Sequence, residues 1–311
     1  RIKVRDTGGL LVMLLQAPII GLLLALVFGG QKQAIPFWCL GALQDLNRRY
    51  GSEIGGASKD LLSGMTATTD NSAALFFLAV VAVWFGTSNA AREIVSERAI
   101  YKRERMVNLK IFNYVFSKFM LLSLFSALQC TILLGIVFFA LGFNGGMNAF
   151  GQELAVLIVT SMDSVALGLL VSAMVTSNEA ATSLTPIALI PQVVLGGLMV
   201  PMTTNEILEY PMYVIPARWG FQGVVAQERL AILKDSPWVV DLGKADLNSA
   251  ENFIEGGRFY CAEAQIASDS FNGAWGFVHW EALWLPYAVL GGMMLITLIT
   301  MLIILKRRDS I

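Results

Sequence analysis

Six stretches of the chain run almost unbroken in apolar residues. They are GGLLVMLLQAPIIGLLLALVFGG (8–30), NSAALFFLAVVAVWFGTSNAA (71–91), YVFSKFMLLSLFSALQCTILLGIVFFALGF (114–143), QELAVLIVTSMDSVALGLLVSAMV (152–175), ATSLTPIALIPQVVLGGLMVPM (181–202) and ALWLPYAVLGGMMLITLITMLIILK (282–306). A helix needs about 20 such residues to cross the hydrocarbon core, and a soluble core does not contain six runs of that length. The pattern predicts an all-α integral membrane protein with six transmembrane helices. Pro18 is tolerable inside the first, where neighbouring helices satisfy the freed carbonyl. Pro186, Pro191, the Gly pair 196–197 and Pro201 predict a fifth span that is kinked or broken.

The polar intervals divide the rest. RIKVRDT (1–7) is a short basic approach to the first span. The spans 8–202 enclose an outer loop at 31–70, expected to fold as a small cap with a helix near 40–49. FNGGMNAFG and TSNEA are read as tight turns, outer and inner. The stretch TTNEILEYPMYVIPARWGFQGVVAQE, with Pro211 and Pro216, is too polar to span. It is expected to dip into the outer leaflet or lie on it, within an outer segment 203–280 whose later part, 231–280, is mostly polar. Trp280 and Trp284 sit where interfacial aromatics anchor a last span and tail, 281–311.

Composition agrees: 56% of residues are hydrophobic and 14% charged, against about 25% charged in soluble domains. A net charge of −1 gives no basic face for nucleic acid. Lys and Arg favour cytoplasmic loops near span ends. With a cytoplasmic amino terminus and six crossings, thirteen of the 22 basic residues fall on the inside close to spans. Both termini are then expected to be cytoplasmic. The chain opens on Arg rather than Met, so it is expected to belong to something longer.

The first inner loop carries REIVSERAIYKRERM (92–106), with eight charges in fifteen positions. On one helix, at about 100° per residue, Glu93, Glu97 and Glu104 share an arc. Arg98, Lys102 and Arg105 share another, near Ile94, Val95, Ala99 and Met106. Like charges at i,i+4 weaken an isolated helix. Segregated signs therefore point to partners: lipid headgroups or neighbouring helices for the basic face, another protein for the acidic one. A solvated interfacial helix is the plainer alternative.

Catalytic chemistry is not legible. There is no G-x-x-x-x-G-K-[ST] loop, and GGQK (29–32) and LSGM (62–65) are chance echoes of ATPase motifs. His279 is the single histidine, which leaves no His-based metal site or triad; beside Trp280 it is expected to be structural. Cys39 and Cys261 fall in outer loops, where oxidation is permitted; a disulfide between them and two free thiols are both open. Cys130 lies mid-span as a small apolar filler. Asp163 is a carboxylate well inside a predicted span and so a functional candidate. It is either satisfied by Ser161, Ser164 or a neighbouring helix, or a polar point on a substrate path or helix interface.

The order of elements resembles the transmembrane domain of G-subfamily ATP-binding cassette exporters and their bacterial type-two permease relatives. The resemblance is carried by SMDSVALGLLVSAMVTSNEAATSLTPIALIPQVVLGGLMVPMTTNEILEYPMYVIPARWGFQGVVAQE (161–228) and by EIVSERAIYKRE (93–104). It implies a dimer of membrane halves, taken here as a homodimer in the plasma membrane (the inner membrane in a bacterium). Each half would be coupled to a nucleotide-binding ATPase domain, usually upstream on the same polypeptide. ATP and Mg would belong to that domain, with no cofactor in this chain. Residues 1–7 match the family's connecting helix, and Glu93, Glu97, Arg98 and Glu104 its coupling helix. Leu198 and Met199 match an apolar plug. The second and fifth spans would line the substrate cavity, with Trp84, Phe85, Asp163 and Val194 as contacts. Two departures stand out. The first outer loop is longer than in eukaryotic members, and Gly86 falls where an aromatic is expected. The leading expectation is an exporter half for hydrophobic, amphipathic or lipid-like cargo. The alternative is a non-transporting sensor or scaffold coupled to an ATPase. A channel or proton-coupled carrier is disfavoured, because Asp163 would be its only intramembrane charge.

Overall fold

A computed structural model describes residues 7–29, 71–107, 109–143, 146–198, 210–235, 238–241, 254–255, 258–260, 277, 279 and 282–309. The helices are α1 (Thr7–Phe28), α2 (Asn71–Ala90), α3 (Glu93–Ser96), α4 (Arg98–Met106), α5 (Ile111–Leu141), α6 (Gly146–Met174), α7 (Asn178–Val194), α8 (Pro216–Asp235) and α9 (Trp284–Asp309). Three short strands also form, β1 (Trp238–Asp241), β2 (Ile254–Glu255) and β3 (Arg258–Tyr260). They pair antiparallel in the order β1-β3-β2, so the mostly polar part of the outer segment contains a small sheet in a chain expected to be all-α. Residues 1–6 of the connecting segment, the whole of the 31–70 cap, Met199, Cys39 and Cys261 lie outside the described residues.

Among the described residues five helices are long and apolar enough to cross a membrane: α1, α2 with its continuation to Ser96, α5, α6 and α9. At the fifth expected crossing, 181–202, the described residues form the 17-residue α7, about 25 Å long and shorter than a hydrocarbon core of about 30 Å. Ser177 caps its start by accepting from the Ala180 N–H at 3.2 Å. The glycine pair ends it: Gly197 adopts φ +103°, and a Cβ on Gly196 would lie 2.6 Å from the Phe76 ring.

The helix α6 is the hub, packing on α2, α9, α5 and α8. Its tightest crossing is with α2. A Cβ on Gly86 would strike the Ser161 carbonyl and sit 2.8 Å from Ser164 Cβ; one on Gly168 would sit 2.6 Å from the Thr87 carbonyl. Between apolar helices in lipid the hydrophobic effect offers little, and close backbone approach through small residues supplies the packing. Steric fit therefore requires Gly86 where the family resemblance suggested an aromatic. The helices α1 and α9 bury only 17% of their most apolar windows, and Leu22, Leu26, Ile296 and Ile299 point outward. Lipid tails are as apolar as leucine, so such faces cost nothing in a bilayer.

The helix α6 begins at Gly146, six residues before the predicted run, so much of the expected FNGGMNAFG turn is helical. Before it, Gly142 at φ +70° caps the end of α5. The earlier start moves Glu153 from the edge of the predicted run to well within the helix, where it is fully buried. Asp163 is therefore not the one carboxylate within the spans. The carboxyl of Glu153 sits against that of Glu228 on α8.

The helix α8 is the half-polar stretch expected to dip or lie flat. Gly220 packs on Thr160 and Ala79, and Gly223 on Val156, so it starts alongside the middle of α6 and α2 and runs antiparallel to α6. An N-terminus in such a place leaves N–H groups without water. The Ala217 N–H donates to Gln192 Oε1 on α7 at 3.0 Å. Arg218, fully buried, lies over the Tyr213 and Trp219 rings at 4.9 and 5.0 Å, and its Nη1 donates to Gln222 Oε1 at 3.4 Å.

Candidate coupling elbow and central face

The charged stretch 92–106 is not one helix. It breaks at Glu97, whose backbone leaves the helical region at φ −100°, ψ 11°, giving α3 and α4. The break follows from two contacts that pull inward. Lys118, seven residues into α5 (111–141), places Nζ 2.9 Å from Glu93 Oε1 and 2.5 Å from Glu97 Oε2. Ser172 Oγ on α6 accepts from the Ile94 and Val95 N–H groups, each at 3.0 Å. A single cation thus resolves the like-charge pair that would weaken an isolated helix. The elbow is fastened to α5 by charge and to α6 by hydrogen bonds.

Beyond the break the projected faces separate. Glu93 and Glu97 converge on Lys118, whereas Glu104 is exposed and borders a groove with Ile100, Arg103, Val107 and Leu109. Arg98 and Lys102 turn the other way, toward the ends of α6 and α9. Tyr101 is buried, its ring 4.9 Å from that of Tyr114 on α5. Arg105 closes α4 by donating to the Leu109 carbonyl at 2.6 Å. Met106 and Val107 are 82% and 83% exposed, an apolar tip uncovered by this chain.

The cavity candidates do not share one surface. Trp84 is 47% and Val194 44% exposed, and Ile187, Ile190 and Val194 form an outward stripe at helical spacing on α7. Phe85 is fully buried in the core of the bundle, because one step along a helix turns a side chain by about 100°. Asp163 is 2% exposed, enclosed within α6. Its serine neighbours do not donate to it: Ser161 Oγ donates to the Ile158 carbonyl and Ser164 Oγ to that of Thr160, at 2.8 and 2.9 Å. Leu198 packs partly buried against the core in the bend after α7. Cys130 is a buried free thiol, and His279, at φ 48°, accepts from the Ala282 N–H at 2.8 Å in the turn before α9.

Sequence reasoning missed Lys118 as a partner, along with Ser172, Glu153 and Gln192. Lys118 had a signal: a lysine inside an apolar run must pair or snorkel. A second polar chain was also missed. Gln16 Nε2 donates to Asn89 Oδ1 (3.4 Å), Asn89 Nδ2 to Gln129 Oε1 (2.6 Å) and Gln129 Nε2 to the Met13 carbonyl (2.5 Å), linking α1, α2 and α5.

A helical bundle of membrane-spanning length, with a charged elbow pinned between its second and third long helices, defines a multi-pass membrane domain of the permease type. The chain belongs to the ABC-2 type transporter family, whose model matches residues 2–228. It is also 34% identical over 176 residues to the ABC transporter ATP-binding/permease protein Rv1747 of Mycobacterium tuberculosis. That match covers 53% of this chain and 20% of the relative, so the chain spans about a fifth of that protein's length. It is the membrane domain of an ABC transporter permease.

Proposed function

We propose that the chain is the membrane half of an ATP-driven exporter for a hydrophobic, amphipathic or lipid-like substrate. The observation that carries this reading is the elbow, held by Lys118 and Ser172 to two long helices while leaving a groove and an apolar tip uncovered. A nucleotide-binding domain, which would hold ATP and Mg, docks on that exposed side at Ile100, Arg103, Glu104 and Val107. Glu93, Glu97 and Arg98 then carry its displacement into α5 and α6. The relative's name joins an ATP-binding and a permease function, which supports an ATPase partner on the same polypeptide. Two copies meet across the side carrying Trp84 and the α7 stripe, enclosing a cavity low in charge that suits apolar cargo. Leu198 and Met199 close it toward the outside. The elbow and both termini face the cytoplasm, and the protein resides in the plasma membrane.

The test is reconstitution of the full-length protein with its ATPase in liposomes. Lipid-like cargo should stimulate ATP hydrolysis and leave the ATPase side of the membrane, and Glu97→Lys should break the link between the two. Hydrolysis indifferent to every amphiphile, without cargo movement, would replace the exporter with a sensor or scaffold. Unaltered coupling in Glu97→Lys would remove the role given to the elbow.

A further inference from the structure

The side of the elbow turned away from the exposed groove forms a second feature that transport does not require. The first turns of α4 meet the ends of α6 and α9 in a crevice lined by Arg98, Lys102 and Arg308, with Val95, Val175 and Leu305 as its apolar part. We propose that this crevice binds the headgroup of an anionic phospholipid, fastening the elbow to the last span.

Three observations carry the proposal. The first is charge: among the described residues three cations and no carboxylate line the crevice. Glu93 and Glu97 of the same elbow are engaged by Lys118. Among the described residues neither Arg98 nor Lys102 has an acidic partner within ion-pair distance. The two stand at i,i+4, where like charges repel on a helix unless an anion lies between them. The second observation is that the site is built. Arg308 Nη1 donates to the Ala173 and Val175 carbonyls, which satisfies the negative end of α6 and fixes one cation at the crevice wall. The third is position. Leu305 ends the apolar part of α9, and Lys306, Arg307 and Arg308 follow directly; basic clusters just beyond a span attract anionic lipid. Cations beside an apolar wall fit an amphiphile better than a free anion.

The proposal uses the cytoplasmic orientation of the elbow but not the export reading, and its readout is lipid retention rather than transport. The full-length protein is purified from bilayers of equal parts phosphatidylcholine and phosphatidylglycerol, and the lipid that stays bound is quantified by native mass spectrometry. Phosphatidylglycerol should be retained in preference. The double variant Arg98→Gln/Lys102→Gln should hold about tenfold less of it. A control with the same charge change outside the crevice, Arg103→Gln/Lys110→Gln, should stay within about twofold of the unaltered protein. Equal retention of the two lipids would overturn the proposal, as would a double variant that keeps phosphatidylglycerol. Displacement of the lipid by inorganic phosphate would also overturn it, making the crevice a free-anion site.

Discussion

Replacing Lys118 by Met removes the cation from between Glu93 and Glu97 while keeping the length of the side chain. At an effective dielectric of about 20, a unit pair 2.9 Å apart gains roughly 6 kcal/mol of Coulomb energy. Desolvation cancels most of that gain, but breaking a buried pair still costs about 3–5 kcal/mol, because a charge is left unpaired. The three side chains here are 10–26% exposed, so solvent screening lowers the expected penalty to about 2 kcal/mol. That penalty falls on the elbow, so it should appear as local opening rather than global unfolding. Backbone amides of 93–106 should exchange with deuterium about 30-fold faster in Lys118→Met, with those in the middle of α6 unchanged. The triple variant Glu93→Gln/Glu97→Gln/Lys118→Met supplies the control. With both carboxylates neutral, no charge is stranded, and protection should largely return. Unaltered exchange in Lys118→Met, or a triple variant no better than the single one, would refute the argument that charge pins the elbow.

Two other substitutions test the packing. Gly86→Ala places a methyl group against the Ser161 carbonyl and Ser164 at the α2–α6 crossing. It should cost about 1–3 kcal/mol and lower the thermal aggregation midpoint in detergent, whereas Gly151→Ala, with open space around its Cβ position, should not. Gln192→Leu strips the acceptor from the Ala217 N–H and should destabilise the start of α8 by about 1–3 kcal/mol. Faster exchange confined to residues 217–221 would report it, and unchanged protection there would count against the cap.

The membrane-spanning helices were legible because hydrophobic length is a one-dimensional property. The runs containing Leu22, Leu133 and Ile299 need no partner to be recognised. The fifth run misled for the same reason. Its apolar count reaches 181–202, but Gly197 at φ +103° and the contact of Gly196 with Phe76 stop α7 at Val194, and neither is visible in hydropathy. Helical projection placed Glu93 with Glu97 and Arg98 with Lys102 correctly. It joined Glu104 to the acidic arc only because it assumed a continuous helix, whereas Lys118 and Ser172 break the chain at Glu97. The pairing of Trp84 with Phe85 failed on one residue of rotation. Glu153 was overlooked because it stands second in the predicted run 152–175, at its very edge, whereas the helix begins six residues earlier and carries it into the bundle. In each case the missing information was a tertiary partner, distant in sequence.

The helix α6 carries no proline along its 29 residues, and its two ends serve different neighbours. Near one end Ser172 holds the elbow; sixteen residues back, Val156 bears on Gly223 of α8. These points lie about 24 Å apart on one stiff rod. A tilt of about 5° displaces one against the other by about 2 Å, more than the slack in either contact. Under the proposed coupling role this helix would serve as a lever, passing a nudge delivered to the elbow on to α8.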